Sequence, residues 1–276
     1  MKVGLVSLGC AKNQVDSEQM LYMLRLAGHE IVNDEKAAEV IVVNTCGFID
    51  PAKEESIDAI LHAAAMKTEG VCRKVFVTGC LAQRYGSQLM AEMPEIDGLI
   101  GVEHYNDFIA ALNDTLDGQR VALTSRTRES HECGRILTTP SFSAYVRIAE
   151  GCDNRCAYCA IPLIRGGYRS RDRESILSEM AELARGGARE QILIAQDTSR
   201  YGRDRGEKDG LLRLMQDASR IEGIDWLRVL YLYPEDVTDE LVDGLVLLRG
   251  RYAPGQMVQG KITGADTYDL TAEAAD

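Results

Sequence analysis

Three cysteines in one short segment have the residue type and the spacing of a metal-binding site. Cys152, Cys156 and Cys159, here called the cysteine loop, form a C-x3-C-x2-C pattern. Thiolates are preferred ligands of soft metals, and three of them suit an iron–sulfur cluster that leaves one iron open to another ligand. A zinc knuckle and a pair of structural thiols are the alternatives. Zinc usually takes C-x2-C pairs closed by a second pair, which the sequence lacks, so the spacing favours the cluster.

A second set of three cysteines lies far apart in the sequence but at equivalent places in the predicted fold. Cys10, Cys46 and Cys80, here called the strand-end cysteines, each follow a short apolar run that predicts a buried strand. Helical patterns separate these runs, and strands that alternate with helices form a parallel sheet. The carboxyl ends of parallel strands share one edge, where open α/β sheets bind ligands. The pattern therefore predicts a second three-thiolate site; three ordinary half-buried cysteines are the alternative.

Four regions are predicted along the chain. Residues 1–118 read as an α/β domain with an open parallel sheet. Residues 119–140 are polar without clear periodicity and are interpreted as a linker. Residues 141–248 contain three βα units with the cysteine loop at the top of the first, which predicts a partial (β/α) barrel whose chemistry sits at its C-terminal face. Residues 249–276 resemble the tail of a small β module that is too short for its own core.

Composition indicates the class of protein and the cellular compartment in which this chemistry takes place. The chain is 45% hydrophobic and 27% charged, which is typical of a soluble globular protein. Eight cysteines without a credible export signal indicate a reducing compartment, because the N-terminal stretch MKVGLVSLGC is too short and too weakly apolar for export. No run reaches the length of a membrane helix. We expect a cytoplasmic protein that does not associate with a membrane.

The charge of the chain is acidic but uneven. A net charge of −12 argues against non-specific binding of nucleic acid. Residues 147–173 are nevertheless rich in arginine. This segment is either a solvated face or a surface that meets a substrate or cofactor, and the sequence leaves both interpretations open.

Several segments together resemble the radical S-adenosylmethionine (SAM) methylthiotransferases, and within them the RimO type. The N-terminal segments are LVSLGCAKNQVDSE, NTCGFI and TGC, and the radical-SAM motif with its flanks is IAEGCDNRCAYCAIPLIRGGYRSR. AQDTSRYGRD and LRVLYLYP are similar to later parts of the same barrel. The ending GKITGADTYDL looks like the last part of a TRAM module, a small β-barrel that holds RNA or protein substrates.

The resemblance implies two [4Fe–4S] clusters. One would be held by the cysteine loop, with SAM on its open iron and Tyr158 near the adenine. The other would be an auxiliary cluster on the strand-end cysteines, where sulfur is supplied. The family attaches a methylthio group to an unactivated carbon, which has no acidic proton for a general base, so radical chemistry is the available route.

The resemblance also implies partners. A RimO-type protein is expected to modify an aspartate side chain of a small-subunit ribosomal protein, either free or on the ribosome, and to take electrons from a donor of the flavodoxin or ferredoxin type. The alternative within the family is a modified adenosine of tRNA, the MiaB type. The flanks CAYCAIPLIRGGYRSR and AKNQVDSE and the acidic net charge favour the ribosomal protein.

One stretch departs from the family pattern. Around Leu245–Arg251 the sequence passes from the third or fourth βα unit directly to the TRAM-like ending. At roughly 30 residues per βα unit, on the order of a hundred residues of barrel and TRAM module are missing. This predicts an open sheet edge on the third barrel strand. A remnant that binds iron–sulfur clusters without catalysis, and a zinc-binding adaptor, therefore stay as alternatives to an active enzyme.

Overall fold

The structure is a computed structural model that describes residues 1–127 and 132–237 and three strands beyond them. By compactness the chain divides into two units. The first contains residues 1–138 and 150–168, and the second contains residues 139–149 and 169–276. The cysteine loop therefore belongs to the same unit as the strand-end cysteines.

The first unit is built on a sheet of six parallel strands. The strands are β1 (Lys2–Ser7), β2 (Glu30–Ile31), β3 (Val40–Thr45), β4 (Lys74–Gly79), β5 (Gly98–Ile100) and β6 (Val121–Leu123). Their order is β2-β1-β3-β4-β5-β6, and every neighbouring pair is parallel. The predicted open parallel sheet is confirmed.

Helices cover both faces of this sheet. They are α1 (Ala11–Leu26), α2 (Asp50–Glu69), α3 (Cys80–Glu92), α4 (Phe108–Leu116) and, after the cysteine loop, α5 (Ile161–Arg165). Neighbouring residues of a strand point to opposite faces. Val42 of β3 therefore joins Met20 of α1 in one core, while Val43 joins Leu81 of α3 in the other. Ile164 of α5 belongs to the first core, so this short helix is anchored within the first unit.

The beginning of α1 differs from the sequence expectation. Asp16, Ser17 and Glu18 resemble the opening of a helix, because their side chains favour N-cap positions. The helix instead begins at Ala11, with Cys10 at its N-cap, and all three polar residues are buried inside it. Tertiary hydrogen bonds to these buried side chains outweigh the local capping preference.

The polar segment 119–140 also differs from the predicted linker. It contains β6, which completes the sheet. Glu18 of α1 is buried and accepts hydrogen bonds from the backbone N and the Oγ1 of Thr138, both at 2.9 Å, and it lies 3.5 Å from Arg135. These polar residues satisfy a buried carboxylate rather than forming a solvated spacer. The other predicted region boundaries stay predictions.

The second unit contains three parallel strands and two helices. The strands are β7 (Ser143–Arg147), β10 (Glu190–Ile194) and β11 (Trp226–Val229), and the helices are α6 (Arg173–Arg185) and α7 (Gly210–Ala218). Two short strands, β8 (Ala149–Glu150) and β9 (Arg169–Ser170), pair with each other. The sheet order is β11-β10-β7, so β11 is an edge strand of this sheet within the described residues. The open edge predicted on the third barrel strand stays a prediction, because residues 238–246 lie outside the described part of the chain.

The last described strands are β12 (Leu247–Leu248), β13 (Gly260–Ala265) and β14 (Leu270–Ala274). They form one sheet in which β13 and β14 are antiparallel. The junction around Leu245–Arg251, apart from β12, lies outside the described residues. The TRAM assignment stays a prediction. No helix in the described part of the chain is long and apolar enough to cross a membrane.

Candidate iron–sulfur sites

The structure brings the strand-end cysteines to one edge of the first sheet. Each cysteine lies at or just past the carboxyl end of β1, β3 or β4, which are adjacent strands. A Cβ placed on Gly9 would be 3.0 Å from the Cβ of Cys46 and 3.2 Å from its Sγ. A Cβ placed on Gly47 would lie 2.8 Å from the Cα of Leu81, the residue after Cys80. The three loops are therefore packed against one another.

Polar side chains of the first unit hold these loop ends together. Asn13 of α1 donates from Nδ2 to the carbonyl oxygens of Leu8, at 3.0 Å, and Thr45, at 2.9 Å. Its Oδ1 accepts a hydrogen bond from the thiol of Cys80 at 3.5 Å. Asn44 donates to the carbonyl of Asn13 at 2.8 Å. One buried asparagine thus contacts all three loops.

Burial and charge act in opposite directions on the thiol of Cys80. Burial raises its pKa to about 11, while the guanidinium of Arg165 acts to lower it. Cys10 and Cys46 also raise this pKa, which places all three thiols within electrostatic reach of one another. Burial lowers the pKa of Lys12, whereas the thiols of Cys10 and Cys80 act to raise it. Two cations therefore accompany the three thiols.

The buried thiol of Cys80 should resist alkylation in the metal-free protein. A pKa of about 11, against an ordinary 9.0, leaves about a hundredfold less thiolate at pH 8, and the thiolate is the reactive form. We expect the iodoacetamide reaction of Cys80, followed by peptide mass spectrometry without oxygen, to accelerate about tenfold per pH unit up to about pH 11. The raised pKa also contributes stability that is complete below pH 9 and is lost as the pH rises through 11. A rate that levels off near pH 9 would contradict the burial described here.

The cysteine loop is closed by backbone hydrogen bonds. The N–H of Cys152 donates to the carbonyl of Gly166 at 3.1 Å, and that of Cys159 donates to the carbonyl of Cys156 at 3.0 Å. Arg155, between the first two cysteines, has a φ of 50°, an unusual conformation for a residue other than glycine and one that clusters at functional sites. Cys152 is buried, whereas the other two cysteines are partly exposed. Tyr158 is 89% exposed, and its expected place near adenine stays a prediction.

Arg165 was not singled out from the sequence, yet it links the two cysteine sets. It is the last residue of α5 and its side chain is 1% exposed. It donates to Asp16 and to Asn13, both at 2.8 Å, to Glu150 at 2.9 Å, and to the Sγ of Cys80 at 3.7 Å. A sequence signal existed: AKNQVDSE spaces Asn13 and Asp16 three residues apart, on one face of a helix.

The second unit has a buried amide without a partner. Gln196 follows β10 at the carboxyl edge of the three-stranded sheet. Its Nε2 and Oε1 are both buried and have no hydrogen-bond partner among the described residues. Buried amides without partners are uncommon and call for an explanation such as a ligand. The carboxyl edge of barrel strands is where such ligands bind.

The donor set fits clusters better than single ions. Among the described residues, no group of three or more His, Cys, Asp or Glu side chains is placed to hold one metal ion. A cubane cluster instead distributes its thiolates over different irons, so the three sulfurs need not converge on one point. The thiols of each set, with two cations beside the strand-end cysteines, are chemically suited to such a cluster. The partnerless amide of Gln196 suits a polar cofactor.

Two family models match the chain. The model described as Uncharacterized protein family UPF0004 matches residues 2–101, which contain the strand-end cysteines. The model described as Radical SAM superfamily matches residues 146–248, which contain the cysteine loop.

Relatives of known name match most of the chain. A ribosomal protein uS12 methylthiotransferase RimO from Pelotomaculum thermopropionicum is 52% identical over 244 residues, covering 88% of this chain and 55% of the relative. A protein of the same name from Clostridium kluyveri is 50% identical over 257 residues, covering 90% of this chain and 56% of the relative. The chain thus spans about half the length of the curated relatives it matches.

Solved structures agree on the fold. The radical SAM methyltransferase TsrM from Kitasatospora setae, with cobalamin and a [4Fe-4S] cluster bound, aligns with a TM-score of 0.59 at 14% identity, covering 90% of this chain and 60% of that one. The cobalamin-dependent SAM radical enzyme OxsB aligns with a TM-score of 0.51 at 12% identity, covering 82% of this chain and 38% of that one. At such low identity these likenesses establish the fold alone.

Proposed function

Because the chain belongs to the radical SAM methylthiotransferases of the RimO type, we propose that it adds a methylthio group to a ribosomal protein of the uS12 type. The acceptor in this proposal is the β-carbon of an aspartate. The observation that carries the proposal is the placement of two three-cysteine sets in one compact unit, with Arg165 contacting the strand-end set.

In this proposal each set of three cysteines holds one [4Fe–4S] cluster. When bound, these groups and SAM supply the radical chemistry, the sulfur and the methyl group. The cysteine loop would hold the cluster that binds SAM, with Tyr158 beside the adenine. The strand-end cysteines would hold the auxiliary cluster, and Asn13 orients their loops through three hydrogen bonds. Lys12 and Arg165 would offset the negative charge of the thiolates, of which that of Cys80 is buried.

Gln196, in the second unit, is the candidate contact for a polar ligand in this proposal. Among the described residues its amide is buried without a hydrogen-bond partner, a condition that costs about 1–3 kcal/mol. We expect Gln196→Leu to stabilise the ligand-free protein, measured by urea unfolding, because it removes a buried amide without a partner. Gln191→Leu on the same strand is the control, because its Nε2 donates to the carbonyl of Met180 at 2.8 Å and its loss should destabilise. Destabilisation by both substitutions would contradict a ligand-binding role of Gln196.

The proposed activity is tested on the reconstituted full chain. The protein is loaded with iron and sulfide without oxygen, reduced, and given SAM with a uS12-type protein or its aspartate-containing peptide. Deoxyadenosine and a methylthio-modified aspartate, both above a Cys156→Ala control, would support the proposal. Modification of a tRNA adenosine instead would favour the MiaB-type alternative.

A catalytically inactive remnant is the second candidate, and two observations favour it. The chain spans about half of its relatives, and β11 is an edge strand within the described residues. Cluster loading without deoxyadenosine would identify such a remnant. Stoichiometric zinc without a brown chromophore would identify a zinc-binding adaptor. The expected donor of electrons, a flavodoxin or ferredoxin, is tested by replacing the chemical reductant with either protein.

A further inference from the structure

We infer that Arg165 is a positioning residue that sets the reduction potential of the cluster on the strand-end cysteines, through an N–H···S contact delivered by the helix that follows the cysteine loop. The inference rests on the proposed function, because it requires that these cysteines hold a cluster. Its premises are the anchoring of α5, the charge around Arg165 and the contact with Cys80.

The position of α5 is fixed independently of Arg165. Ala160 and Ile164 lie in the first core of the first unit. Arg126 donates from Nη1 to the carbonyl of Ile164 at 2.9 Å, also donates to the carbonyl of Leu163, and forms an ion pair with Glu103 at 2.7 Å. The helix is therefore held by apolar packing on one side and by an arginine at its carboxyl end on the other.

The guanidinium of Arg165 is held in a single orientation. Asp16 is fully buried and accepts a hydrogen bond from Nη2 at 2.8 Å, while Glu150 accepts one from Nη1 at 2.9 Å. A planar guanidinium with several fixed partners has little freedom to turn. The Oδ1 of Asn13 accepts a second hydrogen bond from Nη2 at 2.8 Å, so the contact of Nη2 with the Sγ of Cys80, at 3.7 Å, is a shared one.

The contact has a direct electronic consequence. Hydrogen bonds to cluster sulfurs and nearby charge are among the factors that set the potential of an iron–sulfur cluster. A buried cation and a donor at a ligating sulfur stabilise the reduced, more negative cluster more than the oxidised one. Loss of Arg165 also leaves Asp16 and Glu150 without their cation, which destabilises the reduced cluster further. The potential should therefore fall when Arg165 is replaced.

The same residue joins the two cysteine sets. Arg165 is the last residue of α5, which begins two residues after Cys159.

The test measures a potential rather than activity. The full chain carrying Cys152→Ala, Cys156→Ala and Cys159→Ala is loaded with iron and sulfide, so that only the strand-end cysteines can hold a cluster. Its midpoint potential is followed by electron paramagnetic resonance during a reductive titration. Arg165→Gln and Arg165→Lys are compared in this background, and Arg126→Gln is the matched control, because Arg126 also holds α5 but donates to carbonyls rather than to a cysteine.

We expect Arg165→Gln to lower the reduced-to-oxidised ratio at a fixed potential about tenfold, which is about 59 mV for one electron. Arg165→Lys keeps the positive charge but loses the planar guanidinium with its several N–H donors, so it should shift the potential less. Arg126→Gln should leave the potential unchanged. If Arg165→Gln does not take up a cluster, the potential measured for Arg165→Lys tests the inference instead. An unchanged potential with a full cluster signal, or an equal shift in Arg126→Gln, would overturn the inference. No cluster in the parent background would instead overturn the proposed assignment of the strand-end cysteines, and the inference with it.

Discussion

Under the proposed assignment of two clusters, replacing Gly151 by alanine should abolish the one on the cysteine loop while sparing the one on the strand-end cysteines. Gly151 has a φ of 73°, and an added Cβ would lie 2.1 Å from the carbonyl oxygen of Gly167 and 2.7 Å from that of Gly166. Both neighbours are backbone atoms, so no side-chain rotation relieves the clash. The chain entering the loop must move away from the chain leaving it, and Cys152 moves with it because its N–H is bonded to Gly166.

The expected result is a loss of about half of the bound iron after reconstitution, with no deoxyadenosine formed from SAM. Gly28→Ala is a matched control, because Gly28 has a φ of 80° and an added Cβ would meet no atom within 4 Å. Gly28→Ala is destabilised only by the strain of the left-handed conformation, about 1–2 kcal/mol, and should keep its full iron content. Equal iron in both variants would show that the close backbone approach at Gly151 does not hold the loop.

The strand-end site was predictable because its geometry follows from topology. Cys10, Cys46 and Cys80 are separated in sequence, but parallel strands place their carboxyl ends at one edge. The apolar runs that predicted β3 and β4 are buried as expected, whereas β1 is fully buried only at Val3 and Gly4. The chemistry proposed for this site was inferred from the resemblance of whole segments to a known family, not from this geometry.

The polar interior of the first unit was not predictable in the same way. Arg165 and Asp16 are 149 residues apart, and only the packing of α5 against the sheet makes them neighbours. Asp16, Ser17 and Glu18 looked like the start of a helix, whereas they are buried inside α1 and paired. For the same reason the stretch 119–140 looked like a linker, although Thr138 satisfies the buried Glu18. Local patterns report hydrophobicity well, but they do not say which polar residues find partners in the folded chain.

Asp16→Ala should be among the most destabilising single substitutions in the first unit. The carboxylate is fully buried and the guanidinium of Arg165 is 1% exposed, with 2.8 Å between Oδ2 and Nη2. Removing one partner of a buried ion pair leaves an uncompensated charge and costs about 3–5 kcal/mol. Glu150 still contacts Arg165 but is partly exposed, so it replaces only part of the lost interaction. The measurement is urea-induced unfolding of the metal-free protein under reducing conditions.

Asp16→Ala can lower stability in two ways, by leaving Arg165 without its partner or by creating a cavity. Replacing Arg165 as well distinguishes between these two causes. In the double variant Asp16→Ala with Arg165→Met, neither charge of this pair remains, and we expect recovery of at least half of the lost unfolding free energy. Asp225→Ala is the surface control: its pair with Arg189 is as short, 2.6 Å, but both side chains are well exposed, so its loss should cost less than about 1 kcal/mol. A double variant as unstable as Asp16→Ala would indicate that lost packing, rather than an unpaired Arg165, accounts for the effect. Recovery in the double variant would mean that the ion pair serves to hold a cation beside Cys80 more than to stabilise the fold.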